Sequence, residues 1–93
     1  MSEKKRVIIT VVGKDGLGIV AAVSKALAEH KLNILDISQT LVQDFFTMII
    51  LADSSQSKDS LQDIKESLES LGQSIGMQIT CQHEDIFQYM HRI

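Results

Sequence analysis

Residues 33–52, "NILDISQTLVQDFFTMIILA", decide how this chain folds. The first ten alternate, with Leu35, Ile37 and Leu41 set against Asp36, Ser38 and Thr40, the pattern of a half-buried strand. "FFTMIILA", 45–52, is apolar on both faces. Only Gln43 and Asp44 separate the two runs, so they read as strands joined by a tight hairpin.

Upstream, "RVIITVVG", 6–13, is β-branched and too short for a core helix, which makes it a strand. From Gly18 to His30 the residues Ile19, Val20, Val23 and Leu27 recur at helical spacing, with alanines between them. Downstream, Leu61, Ile64, Leu68, Leu71 and Ile75 step by three or four through a second helix. Ser57 or Ser60 caps it, the latter with Asp63 at the capping-box distance. Gly76 ends that helix, and "MQITCQH", 77–83, alternates as a last strand.

The order is β-α-β-β-α-β. The first and third strands are apolar on nearly both faces and belong at the centre; the second and fourth alternate and belong at the edges. Right-handed crossovers then give an α+β, ferredoxin-like antiparallel sheet of order 4-1-3-2 with both helices on one face. With Val7, Ile9, Val11, Phe46, Met48 and Ile50 turned to the helices, Ile8, Val12, Phe45, Ile49 and Leu51 face outward. An apolar face of that kind calls for a cover. The tail, "EDIFQYMHRI", offers one, since Ile86, Tyr89, Met90 and Ile93 form the stripe of a short amphipathic helix; a partner subunit offers another. The unpaired edge of the second strand also points to association, and a homodimer is expected.

Composition excludes several classes. The chain has 93 residues, 44% of them hydrophobic and 23% charged, enough for one small core and no second domain. A net charge of -3 argues against a nucleic-acid surface, and three Phe, one Tyr and no Trp leave little for stacking on bases. The basic run Lys4-Lys5-Arg6 reads as a solubilising lead-in to the first strand. One cysteine forms no internal disulfide, no window approaches the ~20 apolar residues of a membrane span, and no signal peptide is present, so the expected location is cytoplasmic. Cys81 reads as core. His30 falls near the end of the first helix, where its dipole favours a cation; His83 and His91 read as surface residues. No metal-ligand spacing, nucleophile and base pair, or Walker loop is present, so neither cofactor nor enzyme activity is expected.

The loop "GKDGLG", 13–18, remains. It opens a helix, where free backbone N–H groups and the positive end of the dipole suit a small anion and glycines let a ligand approach. A zwitterion would place its carboxylate there and its ammonium near Asp15. In the competing reading Asp15 caps the helix and the glycines only make the turn; spacing alone leaves both open.

The stretch "GKDGLGIVAAVSKALAEHKLNILDISQ", followed by a hairpin into "FFTMIIL", resembles an ACT domain, a small regulatory module attached to many enzymes of amino-acid metabolism. Asp15, Gly18, Asn33 and Ile34 match that family's pattern of an acidic residue, a loop glycine, an apolar helix and then Gly-x-Asn-Ile. The resemblance covers about residues 5–83, leaving a tail from 84 to 93 in a single domain of 1–93. It is strongest to the modules of formyltetrahydrofolate deformylases and of the glycine-cleavage repressor type, and to free-standing bacterial ACT proteins. It implies side-by-side dimers through the second strand and first helix, with an amino acid at the interface. Asp15, Gly16 and the amides of Leu17, Gly18 and Ile19 would hold it from one subunit, and Asn33 and Ile34 from the other. Gly16-Leu17 replaces the Arg-Pro of many such loops, and Gly13 stands where some serine-binding members have a histidine. The implied function is a regulatory module that binds an amino acid and signals to a partner protein. The alternative is an assembly scaffold with a vestigial pocket.

Overall fold

The computed structural model describes residues 6–14 and 18–85. In chain order they form β1 (Arg6–Lys14), α1 (Ile19–Glu29), β2 (Asn33–Val42), β3 (Phe45–Asp53), α2 (Leu61–Ile75) and β4 (Gln78–His83). The four strands make one sheet in the order β2-β3-β1-β4, with every neighbouring pair antiparallel. This is the expected βαββαβ ferredoxin-like arrangement. The tail stripe from Ile86 onward, and His91, lie outside the described residues.

One face of the sheet carries the core. Val7, Ile9 and Val11 of β1, Phe46, Met48, Ile50 and Ala52 of β3, and Ile79 and Cys81 of β4 are buried against Ile19, Val23 and Leu27 of α1 and Ile64 and Leu68 of α2. The alternation in β1 and β3 places these residues on one side, as their sequence requires. On the other side, Val12, Phe45 and Ile49 are exposed, while Ile8 and Leu51 are half-buried.

Helix ends show how local chemistry sets the element bounds. Ser60 caps α2 by accepting a hydrogen bond from the Asp63 amide at 3.1 Å, which settles the choice between Ser57 and Ser60. Ser57 Oγ instead accepts from the Asp59 amide. At the other end Gly76 takes φ 75° and the Met77 amide donates to the Gly72 carbonyl at 2.8 Å. Helix α1 ends in the same way with no glycine. Lys31 adopts φ 60°, its amide reaches the Ala28 carbonyl, and the Leu32 amide reaches Leu27 at 2.9 Å. Both Leu27 and Leu32 are buried, the apolar contact that accompanies this type of cap.

Strand β2 departs from expectation. It was read as half-buried, yet all ten of its residues are exposed. Its partner β3 is covered by helices, but β2 lies one strand further out, and α1 touches it only slightly. The pairing also slips at a bulge: Ile34 stands opposite Ala52 and Asp36 opposite Leu51, leaving Leu35 unpaired. Ile34, Ile37 and Leu41 therefore share the helix side with Gln39, where the alternation had assigned Leu35.

Candidate functional site

The N-terminus of α1 starts at Gly18, with φ 80° and ψ 5°. Glycine has no side chain to cap the helix, and no acidic residue stands in the first turn. The first turn's amides have no carbonyl four residues earlier within the helix, so the positive end of the dipole is left without a counter-charge from α1 itself. The contrast with α2, which has both the Ser60 cap and Asp63 in its first turn, is direct. A Cβ placed on Gly18 would meet nothing within 4 Å, so this glycine serves its left-handed backbone and leaves the approach open. Ile19 is buried in the core and offers only its backbone outward. Asp15, Gly16 and Leu17 lie outside the described residues. The N-cap position belongs to Gly18, three residues beyond Asp15.

The second half of the expected site, Asn33 and Ile34, opens β2. Strand register fixes how far it lies from the first half. Lys14, just before the loop, pairs with Phe45, which pairs with Val42; at the opposite end Arg6 pairs with Asp53, which pairs with Asn33. Eight residue steps of β3 separate these rows, about 26 Å. The structure thus does not bring Gly18 and Ile19 together with Asn33 and Ile34 within one chain. Ile34 sits on the helix side of β2 and Asn33 on the other, opposite Asp53.

Charged pairs gather at the Arg6 end. Arg6 Nε donates to Glu84 Oε1 at 3.0 Å and its Nη2 to Glu84 Oε2, which raises the guanidinium above its ordinary value, first through that hydrogen bond and then through the charge of Glu84. Hydrogen bonds from Ser55 hold the Asp53 carboxyl below its ordinary value, with its amide 2.7 Å away. His30 is the C-cap of α1, as its position implied, but its Nδ1 also meets Asp59 Oδ2 at 2.6 Å, which ties the end of α1 to the start of α2. Single-sequence reading missed these pairs because each joins residues 29 or 78 positions apart. Only the strand register and the packing of the two helices reveal them.

Cys81 is buried, and desolvation pushes its thiol up to about 11. Among the described residues no three His, Cys, Asp or Glu side chains gather as a metal site, and no helix is long and apolar enough to cross a membrane.

Fold and helix entry define a class. Over residues 5–82 the chain matches the ACT domain family, and it belongs to that family. ACT domains are small regulatory ligand-binding modules. The UPF0237 protein of Methanocaldococcus jannaschii is 52% identical over 88 residues, which cover 95% of this chain and 98% of that protein. Among solved structures, an ACT domain protein from Streptococcus pneumoniae superposes with a TM-score of 0.81 at 44% identity, covering 91% of this chain and 96% of that one. A formyltetrahydrofolate deformylase from Pseudomonas syringae shares the fold, with a TM-score of 0.79 at 20% identity, over 87% of this chain and 28% of its own.

Proposed function

We propose that the chain is an amino-acid-responsive regulatory module, working as a homodimer that signals ligand occupancy to a partner protein. The observation that carries this reading is the start of α1 at Gly18, which offers no side-chain cap of its own, takes a left-handed backbone and is followed by no acid in the first turn. A ligand carboxylate fits there, held by the amides of Leu17, Gly18 and Ile19 beside Gly16, with Asp15 toward the ammonium. The other half comes from Asn33 and the Ile34 backbone of a second copy. Antiparallel pairing of two β2 edges reverses one chain against the other, so it carries the Asn33 end of one toward the Gly18 end of its mate. A site split in this way exists only in the assembled pair.

The test is a thermal-shift screen against the twenty amino acids at millimolar concentration, with Asp15→Ala and Asn33→Ala alongside. A ligand in hundredfold excess over Kd stabilises by about 2.7 kcal/mol, a shift well above noise. The expected result is a concentration-dependent rise for one or a few amino acids that both variants lose. No shift with any of them moves the weight to the second reading, an assembly scaffold with a vestigial pocket. The observation on that side is the exposed row of Phe45 and Ile49, 55% and 48% accessible, on the sheet face turned away from the helices. In that case partner capture is lost in a Phe45→Asp, Ile49→Asp double variant while the amino-acid screen stays flat.

A further inference from the structure

The helix layer leaves a gap at the end of the sheet opposite Gly18. There Val7 of β1 pairs with His83 of β4, and residues of the loop that leads into α2 stand beside them. Together they form a cavity of about 250 Å³, room for about eight non-hydrogen atoms at the roughly 30 Å³ that a water occupies in the liquid. Its floor is apolar, with Val7 and Ile64 buried and Leu61 half-buried.

The polar groups around that floor are unequally spent. Ser57 Oγ accepts from the Asp59 amide at 3.2 Å and Ser60 Oγ from the Asp63 amide at 3.1 Å, so each hydroxyl keeps its proton to donate. His83 Nδ1 accepts from the Asp85 amide at 3.1 Å, which puts the proton of the neutral ring on Nε2. Asp59 supplies the acceptor: His30 Nδ1 takes its Oδ2 at 2.6 Å, which leaves Oδ1 to accept. The cavity thus offers three neutral donors and one carboxylate oxygen over an apolar floor. Among the described residues no lysine or arginine lines it.

We propose that this cavity binds a small uncharged carboxamide with a short aliphatic body. The carbonyl oxygen, with two lone pairs, accepts from two of the three donors; the amide N–H donates to Asp59 Oδ1; the alkyl carbons rest on Val7 and Ile64. A carboxylate of the same shape has no proton for Asp59 and brings a second negative charge toward it, and an amine has no acceptor for the hydroxyls. Val7 lies seven residue steps along β1 from Lys14, about 23 Å, so this site is separate from the start of α1 and stands whether or not an amino acid binds there.

Isovaleramide and isovalerate share a carbon skeleton and differ in the terminal group, so the pair tests the assignment by amide NMR titration of the full chain at pH 7.5. Isovaleramide is expected to shift the signals of Asp59, Leu61 and His83 with a Kd on the order of millimolar, and isovalerate to bind at least about tenfold more weakly. Asp59→Asn removes the charge and is expected to erase that difference. Leu61→Phe fills the cavity and is expected to abolish the shifts while the rest of the spectrum stays in place. Equal or tighter binding of isovalerate to the wild type overturns the proposal. So do shifts that persist in Leu61→Phe, or no shift at these residues at tens of millimolar isovaleramide.

Discussion

The two edges of the sheet are built from similar material and end in opposite states. Strand β4 has six residues, its apolar members Ile79 and Cys81 are 4% and 3% accessible, and α2 lies firmly against it. Strand β2 has ten residues with five exposed apolar side chains, Leu41 and Val42 being 58% and 61% accessible. Local propensity does not separate them, since both alternate. What separates them is the approach of a helix. At Gly72 the α2 backbone comes so near β4 that an added Cβ would lie 2.5 Å from the Met77 carbonyl oxygen. Over β2 no element among the described residues makes that approach. An edge that is long, apolar and uncovered is the kind that proteins ordinarily blunt or pair. The comparison therefore teaches that, among the described residues, the molecule has one flank closed by a helix and one left open.

The comparison breaks most visibly in the core beneath the closed flank. Leu68→Ala removes a fully buried side chain and is expected to cost about 2–5 kcal/mol, seen as a large fall in the urea midpoint. Ile37→Ala, on the open flank, should leave the unfolding of the dilute chain within about 0.5 kcal/mol of wild type. Equal losses from the two would refute the contrast. Gly72→Ala probes the close approach itself and should destabilise by about 1–3 kcal/mol, because a backbone carbonyl cannot step aside as a side-chain tip can.

A smaller effect of opposite sign is expected where α1 leads into the open edge. Lys31 holds φ 60° in a position that glycine fills more easily, so Lys31→Gly should raise stability by about 1 kcal/mol and Tm by about 4–8 °C. Last comes a pH dependence confined to the closed flank. The Cys81 thiol is pushed from 9.0 to about 11, so between those values the unfolded chain gives up its proton while the folded chain keeps it. Stability is then fully present below pH 9 and declines as pH rises toward 11, and Cys81→Ala should remove that part of the decline in alkaline denaturation curves.

Much of the fold was legible. The six elements, the sheet order and a serine cap on α2, at Ser57 or Ser60, follow from periodicity, hairpin spacing and capping chemistry, because those signals are local or follow from handedness. The burial of β2 was not legible, because alternation says which residues are apolar and not whether a helix reaches them. The bulge hid for the same reason: Ile34, Leu35 and Ile37 are all apolar, so the pattern reads equally well with Leu35 or Ile34 on the helix side. Lys31 gave no turn signal, although it occupies the position of the glycine in the family's Gly-x-Asn-Ile. For the candidate site, sequence named residues on both sides of α1 but had no measure of the sheet's length. Only strand register shows that its two halves stand at opposite ends of a single chain.

The burial of Cys81 also equips the molecule with its own clock. With no tryptophan and one cysteine in the whole chain, the rate at which a thiol reagent labels Cys81 reports a single event, the opening of β4 away from β1 and α2. A ligand or partner that binds at the β2 edge slows this labelling only to the extent that its binding energy reaches across the sheet. One stopwatch on one sulfur therefore reads how far the two flanks behave as a single cooperative unit.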